Sequence, residues 1–212
     1  GLIQIGGLGI LTFVTYFSYF FKGGVSYETQ ASISEMSYMR GMGDVVSTLK
    51  SILYVTFAVE AVAAALIYIS IYDIPNMDWS EQLFFSVFHA ISAFCNAGFS
   101  TFSAGLYDDS LRFNYPLQLI LAMTFIFGGM GFTIVVNVLR YLRYRAQRLI
   151  NRHDQRYIYQ PWLLNINSRI TLITTGALLL VGLIGVMIFE YNNVLADHTS
   201  FLGKLVTGFF TA

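Results

Sequence analysis

The chain has 212 residues, of which 56% are hydrophobic, 17% aromatic and only 11% charged, with a formal net charge of zero. A soluble domain carries about 25% charged residues, so this composition excludes one and points to a membrane protein. The single cysteine, Cys95, excludes an internal disulfide framework.

A bilayer-spanning helix needs roughly 20 mostly apolar residues. Leu2–Phe21 is the first stretch that qualifies, and it contains "GGLGILTF" at 6–13. The chain opens mid-helix without an initiator Met or a basic leader and ends inside the apolar "GKLVTGFFTA", which reads as an internal piece of a longer protein. The connector 22–44 has a Ser/Glu/Met/Tyr-rich middle, either an interfacial amphipathic helix around Tyr27–Met39 or a solvated loop. A second span, Leu49–Tyr72, leads to an apolar run of only 12 residues, Leu83–Phe94, that stops at "NAGFS". Tyr115–Leu139 is the third span and carries "GGMGF". After a basic, aromatic connector, read as a helix leaving the membrane into contact with lipid headgroups or as a docking surface for a cytoplasmic partner, Ile170–Phe189 makes the fourth.

Charge sets the orientation. Seven arginines (Arg140, Arg143, Arg145, Arg148, Arg152, Arg156, Arg169) face one acid, Asp154, in segment 140–169, and segment 22–50 adds Lys22, Arg40 and Lys50. The positive-inside rule makes both segments cytoplasmic. If 83–94 crossed the membrane, the seven arginines of 140–169 would lie outside. A short helix that dips in and returns keeps them inside. Irregular backbone at that depth is tolerated only where it is buried in protein or lines a water-filled cavity.

Three internal echoes share nearly one period. Ser51–Asp73 matches Ser168–Asn192 at an offset of 117, "LFFSVFHAISA" matches "LGKLVTGFFTA" at 119, and "GGLGILTF" matches "GGMGFTIV" at 122. They predict an all-α integral membrane fold of repeated helix–pore loop–helix units. Residues 1–21 are then the final inner helix of one unit and 22–44 a cytoplasmic connector. Residues 45–140 form a complete unit, with an outer helix at 49–72, a pore helix at 81–94, a filter at 96–100 and an inner helix at 115–139. A basic cytoplasmic connector, 141–168, leads to the start of a third unit at 169–212, an outer helix and a truncated pore helix.

The chemistry is expected in Asn96–Ser100. A selectivity filter aims backbone carbonyls at an ion to replace its hydration shell. Gly98 supplies access to positive φ, with Asn96 and Ala97 before it and Phe99 after it. A helix entering from outside also turns its partially negative C-terminus inward, which favours a cation.

"FHAISAFCNAGFSTF", followed by a Gly-rich inner helix with "GGMGF", resembles the second repeat of Trk/Ktr/HKT-type potassium transporters, and "IQIGGLGILTF" resembles the end of their first. The likeness covers nearly the whole chain. It implies four non-identical repeats in pseudo-fourfold, channel-like arrangement, each lending one loop to a shared filter. Gly98 matches the key central glycine, with Asn96, Ala97, Phe99 and Ser100 as its neighbours. The resemblance further implies a multi-pass cell-membrane protein that passes K+, with no bound cofactor, acting as a homodimer with a cytoplasmic nucleotide-binding regulatory ring. Membrane lipids are the other expected partner, and no nucleic acid is expected.

Passage of Na+, or a repeat-based secondary transporter with side-chain ligands at a broken helix, are the alternatives. An intramembrane enzyme would need a catalytic pair inside the spans, yet every aspartate falls in a predicted loop. Glu60, near mid-membrane, is expected to face the bundle interior and hydrogen-bond a backbone or polar partner, with an ion- or proton-linked role as the alternative. His89 reads as a packed, hydrogen-bonded core histidine. The pairs Gly6–Gly7 and Gly128–Gly129, with Gly9 and Gly131, read as close-packing positions, with a bend near a pore as the alternative.

Overall fold

The computed structural model describes residues 2–7, 42–72, 77–150 and 166–212. The readings for Tyr27–Met39, for most of Leu2–Phe21 and for 151–165 lie outside the described residues.

Every regular element among the described residues is helical. After a helical segment at 2–7 come α1 (Met42–Ser70), α2 (Trp79–Phe94), α3 (Tyr115–Gly129), α4 (Phe132–Ile150), α5 (Ile166–Phe189) and α6 (Phe201–Thr211). Lys50–Ser70 of α1 and all of α5 are long and apolar enough to cross a membrane. The 21 residues of that part of α1 extend about 32 Å, against a hydrocarbon core of roughly 30 Å. With 16 residues, α2 reaches only about 24 Å.

The path around α2 follows from four contacts. A short connection joins α1 to α2, whose first turn is closed by the Asp78 N–H donating to the Glu81 carboxylate at 3.3 Å. Asn114, which begins α3, accepts from the Leu117 N–H at 3.0 Å and donates to the Ser70 carbonyl at 2.7 Å. The start of α3 therefore sits at the C-terminal end of α1, where α2 also starts. At the far end of α2, Phe94 lies against Gly128, near the end of α3. Thus α2 and α3 run in the same direction from one end of the bundle, and 96–113 climbs back between them.

The core fills the space among these three helices. Ala63, Ile67 and Ile71 meet Phe85 and Ala90 of α2, together with Leu111, Leu117 and Leu121. Phe102 of the return limb packs its ring edge-on to Phe85, with centroids 5.6 Å apart. Next, α5 packs on α6, and α6 docks on α3, where the Thr207 hydroxyl donates to Gln118 Oε1 at 2.9 Å in a buried position. Gly203 of α6 makes that approach feasible, because a Cβ there would strike the Tyr115 ring.

One expectation is corrected. The inner helix read as continuous over 115–139 is two helices, α3 and α4, bent through 118°. The cause is Gly131, whose φ of +83° lies in the left-handed region and cannot continue a right-handed helix. The flanking turns remain closed, Met130 N–H to Ile126 at 3.0 Å and Val135 N–H to Gly131 at 3.1 Å, so the break is confined to this glycine.

Candidate functional site: the inner end of the return limb

The site begins where α2 stops. Asn96 has φ +51°, the only positive value among the described non-glycine residues. The Ala97 N–H reaches back to the Ser92 carbonyl at 2.8 Å, and the Asn96 N–H to Ala93 at 3.0 Å. This pair of bonds is the Schellman motif, which tolerates Asn at its left-handed position. Asn96 therefore ends the helix and satisfies its last carbonyls. Two residues later Gly98 takes φ +71°, with nothing within 4 Å of the place a Cβ would occupy. Between them these two residues turn the chain away from α2.

The loop is exposed on one side and held on the other. Asn96, Gly98 and Phe99 are exposed, Phe99 at 61%, whereas Ala97 and Ser100 are half-buried. Behind them stand Ser92 and His89, each only 3% exposed. The Ser92 hydroxyl donates to the Phe99 carbonyl at 2.8 Å and accepts the Phe99 N–H at 2.9 Å. His89 Nε2 lies 3.1 Å from the Ser100 hydroxyl, which accepts the Phe102 N–H at 3.2 Å. Among the described residues, the carbonyl oxygens of Asn96, Ala97, Gly98 and Ser100 accept no hydrogen bond. In water-excluded surroundings free carbonyls would be costly. Carbonyls left free in this way can serve as ligands for a cation.

The helices approach closely here. A Cβ on Gly128 would overlap the Phe94 carbonyl oxygen, and one on Gly129 would come within 3.6 Å of the Asn96 amide. On the other side, a Cβ on Gly7 would lie 2.6 Å from Cys95 Sγ. Gly7 and Gly128 thus serve packing, as expected, while Gly131 serves the bend. Glu60, 5% exposed, faces this junction and accepts from Gln4 Nε2 at 2.9 Å. Its interior position and polar partner match the expectation. Among the described residues no cluster of His, Cys, Asp and Glu could hold a metal.

His89 is the packed, hydrogen-bonded histidine the sequence predicts, with its ring stacked on Phe85 at 3.9 Å. Its bond to Ser100 was not foreseen, nor was any role for Ser92. The available signal was two polar residues at i and i+3 of an apolar helix, which share one face.

The outer end of the return limb is charged. Arg112 bridges to Asp197 at 3.2 Å and to Asp109 at 3.5 Å, and its guanidinium lies 4.5 Å from the Phe113 ring centre. Tyr107 also reaches Asp197, at 3.3 Å, and the Tyr115 hydroxyl lies 3.1 Å from His198 Nδ1. Burial, then the neighbouring Arg112 charge, push the His198 pKa below its usual value.

Comparison with known proteins agrees with the resemblance read in the sequence. The chain is 35% identical over 209 residues to the Ktr system potassium uptake protein B of Vibrio alginolyticus, which covers 98% of this chain and 40% of that protein. It is 31% identical over 219 residues to the protein of the same name from Bacillus subtilis, covering 100% of this chain and 43% of the relative. The potassium/sodium uptake protein NtpJ of Enterococcus hirae is 28% identical over 209 residues, 99% of this chain and 42% of that one. The chain therefore spans less than half the length of these relatives. The sequence profile of the TrkH family, described as cation transport protein, matches residues 1–207. With nearly every residue covered, the chain belongs to the TrkH family.

Proposed function

We propose that the complete protein carries potassium ions across the cell membrane through a filter of backbone carbonyls, and that Asn96–Ser100 is the part of that filter contributed by this chain. The supporting observation is the end of α2. A helix too short to cross delivers a left-handed Asn96 and Gly98, and the carbonyls of Asn96, Ala97, Gly98 and Ser100 take no hydrogen bond among the described residues. The negative end of the α2 dipole lies at the same point and favours a cation. Three further loops, one in each of the other repeats, would complete the ligand shell. The bound species is the transported ion itself, and the reading includes no covalent step and no resident cofactor.

The names of the relatives favour K+ over other cations, and the potassium/sodium protein keeps Na+ passage as the second reading. Two relatives are named as parts of a Ktr system, which supports a membrane subunit that works with other components. A homodimer on a cytoplasmic nucleotide-binding ring is the assembly we propose, with segments 22–50 and 140–169 on the cytoplasmic side.

Gly98→Ser in the full-length protein, expressed in cells lacking their own potassium uptake, tests the reading. The space at Gly98 is open, so serine fits, and the strain arises only from φ +71°, on the order of 1–2 kcal/mol. The expected outcome is normal membrane abundance with a reduced preference for K+ over Na+. Transport identical to the unchanged protein would reduce the loop to a structural turn.

A further inference from the structure

Ser92 and His89 are neutral side chains behind the loop, and their hydrogen bonds have a directional consequence. In a planar trans peptide the N–H and the preceding C=O point in opposite directions. The Phe99 N–H points at Ser92 Oγ on α2. The Gly98 carbonyl, in the same peptide plane, must therefore point away from α2, toward the exposed side. The Phe99 carbonyl is turned the other way, into Ser92. One hydroxyl thus fixes two successive peptide planes with opposite orientations.

His89 holds the next residue. Its Nδ1 lies 2.9 Å from the Phe85 carbonyl, which can only accept, so this nitrogen carries the proton of the neutral ring. Nε2 is then an acceptor, and the Ser100 hydroxyl must donate to it while accepting the Phe102 N–H. The chain of bonds from Phe102 through Ser100 to His89 runs one way and is complete.

We infer that Ser92 and His89 are positioning residues for ion selection. They aim the Gly98 carbonyl at the ion and withdraw the Phe99 carbonyl from it, so that Phe99 borders the ion path without contributing a ligand. This assignment rests on the filter reading above and narrows it from five residues to a subset. A filter distinguishes ions of different size through the field and placement of its carbonyls. A peptide plane free to rotate would lose that discrimination before it lost the fold.

The test uses the full-length protein in cells lacking their own potassium uptake, with membrane abundance measured for each variant. Apparent KM and maximal rate for K+, and the K+:Na+ preference, are compared for Ser92→Ala, Ser92→Thr, His89→Leu, His89→Gln and Gly98→Ser. Ser92→Ala removes both bonds to Phe99, and its preference should fall on the order of fivefold to tenfold, the equivalent of one or two neutral hydrogen bonds. Ser92→Thr keeps the hydroxyl and should retain most of the preference. His89→Gln keeps an acceptor for Ser100 and should fall less than His89→Leu. A Ser92→Ala protein with altered maximal rate but unchanged preference would overturn the inference, because packing alone would explain it. If Gly98→Ser still loses preference in that case, the filter reading stands and only the positioning role is lost. If Gly98→Ser is also unchanged, both fail. Should Ser92→Ala not reach the membrane, the His89 pair decides: equal preference in the two variants overturns the inference.

Discussion

The two ends of the return limb are built from opposite materials. At the inner end, 96–102 is held by one serine hydroxyl and one imidazole, at 2.8 to 3.2 Å, and none of these bonds involves a carboxylate, lysine or arginine. At the outer end, Arg112, Asp109, Asp197, Tyr107 and His198 form a charged cluster that ties the limb to a segment 85 to 90 residues away in sequence. The contrast follows the burial of the side chains that do the holding: Ser92 and His89 are 3% exposed, whereas the side chains of Asp109 and Asp197 are 95% and 44% exposed. Where water is scarce, an uncompensated charge is costly and a satisfied neutral bond sets geometry firmly. Where water is plentiful, charged pairs cost little and contribute little. Precision belongs to the inner end and tethering to the outer, and each substitution below tests that division.

The largest expected effect is at the inner end. Gly128→Ala places a methyl against the Phe94 carbonyl, and a backbone atom cannot swing aside as a flexible side chain does. Separating α3 from α2 should cost about 1–3 kcal/mol or more. The expected outcome is a marked fall in membrane abundance and in the melting temperature of the full-length protein. Gly176→Ala on α5, where nothing lies within 4 Å, should be neutral or slightly stabilising. Equal effects at the two positions would show that helix contact at the inner end is not tight.

Glu60 comes next. Glu60→Ala removes the acceptor of the Gln4 amide and should destabilise by about 1–3 kcal/mol. Glu60→Gln retains a carbonyl oxygen in the same place and should cost clearly less. Thermal melts of the two variants in detergent make the comparison. If they are alike, the hydrogen bond to Gln4 is not what Glu60 supplies.

These sites differ in how far the sequence revealed them. The end of α2 at Phe94 was legible, because the apolar run from Leu83 stops there at Asn-Ala-Gly. The Asn114–Ser70 bond, which brings the start of α3 to the end of α1, was not legible, because it joins residues 44 apart. Within "GGMGF" the sequence offers packing and bending without saying which glycine does which: Gly128 packs and Gly131 bends, and only the neighbouring Phe94 and the backbone angle distinguish them. Asn96 was read with the ion-facing residues, and the structure adds that it closes the helix. The Ser92–Phe99 pairing was hidden for the same reason as the Gly131 bend. It depends on how a left-handed turn folds seven residues back, which periodicity does not encode.

At the outer end the effects should be smaller and salt-sensitive. Asp197→Ala removes the acceptor shared by Arg112 and Tyr107, both in exposed bonds. A loss of no more than about 1 kcal/mol is expected, shrinking as salt is raised. Melting curves at low and high ionic strength measure it. A large, salt-independent loss would mean that this cluster carries structural weight comparable to the inner end, and the proposed division would fail.

The smallest effect is a pH dependence at His198. Its side chain is buried against Phe113 and Tyr115, and the charged groups that face it are Arg112 and Lys204, which disfavour its cation, and Asp197, which favours it. Burial dominates, so the folded pKa lies below the ordinary value of about 6.5. The unfolded chain therefore takes up the proton first as the solution is acidified. By linkage, the stabilisation is complete above about pH 6.5, declines as pH falls from there through the folded pKa, and then levels off. Asp108 does not interfere, because hydrogen bonds from Ser110 hold its carboxyl below the usual carboxylate range, beneath this window. His198→Gln should remove the decline while keeping a partner for the Tyr115 hydroxyl. The measurement is the drop in melting temperature between about pH 7.5 and pH 5.5 for the two proteins, in which carboxylates common to both cancel. A smaller drop in the variant is expected. An equal drop would mean that His198 is solvated like the charges around it, and that water reaches further into the outer end than its packing indicates.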